Sequence, residues 1–88
     1  EWMRDCEDTV RYLRNHPCIV TWVLFNEGWG QFNARDAVRR VRAIDPTRPI
    51  DATSGWFDQG CGDFVSEHNY FRKLRAPSAW LVSGLCDI

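Results

Sequence analysis

The chain has 88 residues, of which 26% are charged, and a formal net charge of -1. That length supports one small domain and not two. The near-neutral balance argues against nucleic acid or an anionic membrane as a partner held by bulk electrostatics, and no stretch approaches the apolar length a membrane span needs.

From Trp2 to about Asn15 the pattern is helical. Met3, Cys6, Val10 and Leu13 recur at steps of three and four and form one stripe. Charged residues fill the remainder, and Glu7 stands four residues before Arg11 in the favourable order for an ion pair. Pro17 stops the helix, because the residue before a proline avoids the helical region. "CIVTWVLFN", Cys18 to Asn26, is β-branched and aromatic with almost no polar interruption. Such a continuous run predicts a strand covered on both sides, as in a parallel sheet. The chain is expected to turn at Gly28-Trp29-Gly30.

A second helix follows. Asn33 is placed to cap it, with Asp36 three positions on as in a capping box. Ala34, Ala37, Val38, Val41 and Ile44 form its apolar stripe. Arg35, Arg39, Arg40 and Arg42 lie among them and read as a solvated helix face. "DPTRP", Asp45 to Pro49, ends the helix. "IDATS", Ile50 to Ser54, reads as a short strand, Gly55 to Asp63 as a glycine-rich loop, and "FVSEHNY", Phe64 to Tyr70, as a third strand. The last stretch, "APSAWLVSGLCDI", is apolar without a helical stripe, and "AWLVSGL" within it is a candidate fourth strand.

Cys6, Cys18, Cys61 and Cys86 are widely and irregularly spaced, with no CxxC. This argues against a zinc site. Buried thiols are preferred over a disulfide framework, since Cys6 and Cys18 fall where the pattern reads as core. His16, between a helix end and a proline, is expected to satisfy backbone groups and fix that turn. The first residue is Glu1 rather than a start methionine, so the chain is expected to begin inside a longer gene product.

Alternation of helices and strands predicts βαβ units and a parallel sheet, an α/β fold. In such sheets, and in β/α barrels, ligands meet the carboxyl ends of the strands. Those ends carry Asn26 and Glu27, the loop from Ser54 to Trp56, and His68 to Tyr70. Glu27 stands on a rigid support. Partial burial beside Trp29 would raise its pKa and leave a protonated acid able to give its proton to a leaving oxygen. Asn26 offers a donor and an acceptor to a sugar hydroxyl. The competing reading pairs Glu27 with an arginine.

"RNHPCIVTWVLFNEGWGQ", Arg14 to Gln31, resembles the acid/base region of family 2 glycoside hydrolases, which include β-galactosidases, β-glucuronidases and β-mannosidases. That family carries an Arg-Asn-His-Pro-Ser-Ile/Val stretch, a hydrophobic strand, then Asn-Glu. Arg14, Asn15, His16 and Pro17 stand in that order here, Cys18 replaces the usual serine, and Asn26-Glu27 close the strand. The resemblance continues through "DPTRP", "SGW" and "DFVSEHNY" to about Arg75.

The resemblance implies part of a (β/α)8 TIM barrel, roughly strands four to six with the intervening helices. It makes Glu27 the general acid/base, sets Asn26 on the sugar 2-hydroxyl, and brings Tyr70 beside the catalytic nucleophile to orient it. His68, on the same strand face as Tyr70, would touch sugar, and Trp29 and Trp56 would stack on a pyranose ring. The implied reaction is retaining hydrolysis of an O-glycosidic bond.

The family's nucleophile lies on the seventh strand in a Ser-Glu-Phe/Tyr-Gly type motif. This chain reads "WLVSGLCDI" there, with no glutamate after Glu67. Glu67 neighbours His68 on the opposite strand face and is a poor substitute, and Asp87 carries no motif. Residues 1–75 thus read as a piece of the catalytic barrel and 76–88 as a divergent tail. Three readings follow: the acid/base part of a β-glycosidase, a non-catalytic carbohydrate-binding remnant, or an incomplete barrel piece without activity of its own. The expected partners are a carbohydrate and the rest of a parent barrel with its accessory β-domains. Some relatives use magnesium or sodium, but neither metal nor cofactor is expected from these residues. The compartment stays open between a periplasmic or secreted parent and a cytoplasmic one.

Overall fold

The computed structural model describes residues 1–27, 31–55, 59–71 and 73. The elements are α1 (Trp2–Leu13), β1 (Trp22–Asn26), α2 (Ala34–Ile44) and β2 (Ile50–Ser54). β1 and β2 pair in parallel, Trp22 opposite Ile50 and Asn26 opposite Ser54. The helical crossover between them makes a βαβ unit, as the alternating pattern predicts.

The core forms where three apolar stripes meet. α1 brings Met3 and Val10, α2 brings Ala34, Ala37, Val38 and Val41, and the strands bring Trp22, Phe25, Ile50 and Ala52. Cys6, Leu13 and Ile44 pack at its margin, which completes both predicted helical stripes. Trp2 stacks on Phe25 with ring centroids 4.6 Å apart. Arg40 crosses from α2 to Glu7 on α1 at 3.1 Å, while the predicted Glu7–Arg11 pair is looser at 3.5 Å. Ile50 has no exposed surface. Ile50→Ala should cost about 2–5 kcal/mol through lost transfer energy and the cavity left behind, measured as a fall in the urea midpoint at unchanged slope.

The amino ends of the strands are tied by one buried carboxylate. Asp45, 3% exposed, accepts from Trp22 Nε1 at 2.9 Å, from Arg48 Nη1 at 2.7 Å and from the Thr47 amide at 3.0 Å and hydroxyl. The Arg48 guanidinium also donates to the carbonyls of Arg14, His16 and Ile19 at 2.7, 2.9 and 2.7 Å. It lies 5.7 Å from the Trp22 ring centroid. "RNHP" and "DPTRP" are therefore two halves of one hydrogen-bonded knot. His16 fixes the turn through its backbone: its N–H donates to Leu13 and its carbonyl accepts from Ile19.

Several expectations need correction. α1 ends at Leu13, two residues early, because Arg14 and His16 turn back onto Val10 and Leu13. β1 begins at Trp22, not Cys18. Residues 16–19 close a turn, and the Arg48 guanidinium holds the Ile19 carbonyl that a longer ladder would use. Cys18 is exposed rather than core, and Cys6, Cys18 and Cys61 are free thiols; Cys86 lies outside the described residues. β1 is not covered along both faces, since Val23 is 53% exposed. The capping box does not form. Asn33 caps α2 in a left-handed conformation, φ 48°, with no side-chain hydrogen bond, where a capping side chain needs extended backbone. Asp36 is engaged instead by Arg39 and Arg40. With Arg42 on Asp63, the arginine-rich surface of α2 is a network of ion pairs.

β2 occupies the predicted Ile50 to Ser54. The predicted third strand, Phe64 to Tyr70, is reduced to one parallel bridge between Gly55 and Glu67. Side chains do the work of a ladder here. Asp63 exchanges two hydrogen bonds with the Ile50 backbone, at 2.7 and 2.8 Å, and the Ser66 hydroxyl donates to Asp51 at 2.9 Å. Gly62 permits the close approach, since a Cβ there would stand 2.9 Å from the Ala52 nitrogen. The candidate fourth strand and the tail, residues 76–88, lie outside the described residues.

Candidate active site

Because the strands are parallel and end in register, Asn26 and Ser54 bring their carboxyl ends side by side. Glu27 follows immediately. Its N–H donates to the Ser54 carbonyl at 2.7 Å, extending the ladder by one bond. Its φ of 52° is left-handed, a conformation that costs a non-glycine residue on the order of 1–3 kcal/mol and clusters at functional sites.

The third segment closes over this end. His68 Nδ1 lies 2.7 Å from Glu27 Oε1, and Ser54 Oγ lies 2.9 Å from His68 Nε2. The Tyr70 hydroxyl donates to the same Glu27 oxygen and stands 3.3 Å from His68 Nδ1. The two rings meet edge to face. Tyr70 and His68 thus share a face, as strand alternation predicts, and both point at Glu27. The Glu27 and His68 side chains keep 31% and 28% of their surface open, enough for a ligand to reach them. Asn26 is exposed beside them.

Two donors on one oxygen favour the charged form of a carboxyl. The Tyr70 hydroxyl, then the His68 ring, hold Glu27 below the usual carboxylate range. This reverses the expectation of a raised value. That expectation rested on burial beside Trp29, which lies outside the described residues, as does Trp56. The same bond pushes the Tyr70 phenol up, because a neighbouring carboxylate keeps its proton in place. Among the described residues the ion-pair partner of Glu27 is this histidine and not an arginine.

Sequence reasoning put Ser54 and Gly55 in a ligand-facing loop but did not find their roles. Ser54 meets the far nitrogen of His68. Gly55 has φ 90°, and a Cβ built on it would stand 2.4 Å from the imidazole. A glycine is therefore required twice, by its backbone and by the ring above it. The signal was the "SG" at the end of the short strand Ile50 to Ser54. Gly55→Ala should push His68 off Glu27, so the Glu27 carboxyl, followed by 13C NMR, should titrate at higher pH. An unmoved titration would contradict this geometry.

No group of three or more His, Cys, Asp or Glu placed to hold a metal occurs among the described residues. No helix among them is long and apolar enough to cross a membrane. What the site offers is proton chemistry: a carboxyl fixed at a strand end, held by a phenol and an imidazole, and open on one side.

The family model described as "Glycosyl hydrolases family 2, TIM barrel domain" matches residues 1–80. The chain is 42% identical over 57 residues to a beta-galactosidase of Yersinia enterocolitica, covering 64% of the chain and 5% of that protein. It is 36% identical over 56 residues to a beta-galactosidase of Klebsiella pneumoniae, with the same coverage. With a beta-glucuronidase of Pongo abelii it shares 30% identity over 80 residues, 85% of the chain and 10% of that protein. The chain spans a tenth or less of the length of these relatives.

Proposed function

This chain belongs to the TIM-barrel domain family of the family 2 glycosyl hydrolases, and on that footing we propose that it is the acid/base part of a retaining β-glycosidase barrel. β1, β2 and the segment ending at Tyr70 take the places of barrel strands four, five and six. Residues 1–75 belong to the barrel and 76–88 are a divergent tail. The remaining strands come from the rest of the parent protein, so the isolated chain is expected to be inactive.

The observation that carries this reading is the Glu27 carboxyl at the carboxyl end of β1, gripped by Tyr70 and His68 and still accessible. A retaining glycosidase needs two carboxyl groups about 5–5.5 Å apart across the glycosidic bond. Glu27 acts as the acid in the first step, protonating the departing oxygen while the second carboxylate attacks the anomeric carbon. It acts as the base in the second, taking a proton from the water that releases the sugar. Asn26 receives the sugar 2-hydroxyl. Trp29 and Trp56 supply stacking surfaces for the ring. Tyr70 bonds Glu27 in this structure and, in the completed barrel, stands between it and the nucleophile. The nucleophile itself is not assigned to this chain.

The test is the anomeric outcome. The whole protein carrying this chain should hydrolyse an aryl β-galactoside or β-glucuronide, and 1H NMR should show the β-anomer as the first product. An α-anomer would contradict the mechanism. Sugar binding without turnover would favour the carbohydrate-binding remnant, which the missing nucleophile motif keeps as the second reading.

A further inference from the structure

The site poses a chemical problem. An acid catalyst must hold a proton at working pH, yet the donors around Glu27 favour its carboxylate. The structure offers a second place for that proton. His68 is bonded through both ring nitrogens, Nδ1 to Glu27 at 2.7 Å and Nε2 to Ser54 at 2.9 Å.

We propose that Glu27 and His68 hold the catalytic proton jointly, passing it between Glu27 Oε1 and His68 Nδ1, with Ser54 keeping the imidazole in place in every state. This rests on the acid/base reading of Glu27.

The proton balance is simple. In one form Glu27 is a carboxylate and His68 an imidazolium, whose two N–H groups donate to Glu27 and Ser54. In the other Glu27 is a neutral acid donating to Nδ1, and Nε2–H still donates to Ser54. One proton has moved and the total is unchanged. When the carboxyl protonates the glycosidic oxygen, the C–O bond breaks and the pair is left one proton short. His68 is then neutral, with its remaining proton on Nε2 still donated to Ser54 Oγ, and its bare Nδ1 has the Tyr70 hydroxyl 3.3 Å away as a donor. Deglycosylation restores the count: water forms the new bond to the anomeric carbon as the bond to the nucleophile carboxylate breaks, and gives its proton to Glu27. The Ser54 hydroxyl accepts from Nε2–H in each of these states.

The surroundings are compatible. From β2 the pair meets Ser54, which carries no charge. From the closing segment it meets Tyr70, bonded to Glu27 Oε1, while Glu67 beside His68 is exposed. No arginine or lysine forms an ion pair with Glu27 among the described residues. Gly55 supplies the space the ring occupies. His68 and Ser54 are positioning residues in this scheme, acting through Glu27.

A pair of this kind titrates as a unit. The neutral-acid form is a fixed fraction of the singly protonated pair, so acid catalysis persists until the pair gives up its shared proton. The experiment is the pH profile of kcat/KM in the whole protein, with an alkyl β-glycoside that needs acid assistance and an activated aryl β-glycoside that does not. His68→Gln should move the alkaline limb to lower pH for the alkyl substrate and leave it in place for the aryl one. Ser54→Ala should move it the same way by less, and it serves as the readout if the histidine variant does not fold. An alkyl-substrate limb that stays put in both variants would overturn the shared proton. If Glu27→Gln itself spares the alkyl substrate, the acid/base assignment fails, and with it this scheme; if only the His68 and Ser54 variants are silent, the assignment stands and the shared proton alone falls.

Discussion

Glu27→Gln is expected to lower kcat/KM on alkyl β-glycosides by about 10²- to 10⁴-fold, the usual contribution of a positioned general acid. Glutamine keeps the size of the side chain and an oxygen to accept from Tyr70 and His68, so the ladder bond to Ser54 and the strand end should survive. It cannot supply the proton. An alkoxide is a poor leaving group and depends on protonation. An activated phenolate is not, so its first step should lose far less. For that substrate the deficit should appear in the second step, where Glu27 acts as base, as a fall in kcat with a lowered KM as the glycosyl-enzyme accumulates. Equal losses on both substrates in kcat/KM would point to a binding or structural role for the residue.

Asp45→Ala should cause a large loss of stability. The carboxylate is almost fully buried and joins the end of α2 to Trp22 on β1 and to Arg48. Removing it strands the guanidinium, which still serves three carbonyls of the turn before β1. Breaking one partner of a buried pair costs about 3–5 kcal/mol. Asp45→Asn, which keeps an acceptor for the indole and the guanidinium, should cost less. The Thr47 hydroxyl, with further help from Arg48 and Trp22, holds the Asp45 carboxyl well below the ordinary carboxylate range against the opposing effect of burial. A depressed folded-state value means stability that is complete above the unfolded pKa, about 3.9, and is lost as pH falls below it. The gap in urea midpoint between wild type and Asp45→Ala should therefore be smaller at pH 3 than at pH 7. A constant gap would contradict the assignment.

Much of the architecture was legible because it depends on local pattern. The stripes of α1 and α2 appear as spaced, and β2 runs over the predicted Ile50 to Ser54, bounded by Pro49 and Gly55. What the pattern missed depends on contacts distant in sequence. The start of β1 moved because Arg48, about thirty residues on, takes the carbonyls of the preceding turn. The third strand failed because Asp63 and Ser66 grip β2 through side chains. The capping box failed on the φ of Asn33. At the site, alternation correctly placed His68 and Tyr70 together. The direction of the Glu27 shift was misread because its donors lie 41 and 43 residues away, where spacing along the chain says nothing of hydrogen bonds.

The assignment of Glu27 as acid/base is tested most directly by Glu27→Ala in the whole protein, with an activated aryl β-glycoside and added azide. The shortened side chain opens space for the anion, and azide attacks a glycosyl-enzyme without needing its proton removed. The account predicts that azide restores turnover and that the product is the β-glycosyl azide, the configuration a second displacement at the same face gives. No acceleration, with hydrolysis products alone, would contradict it.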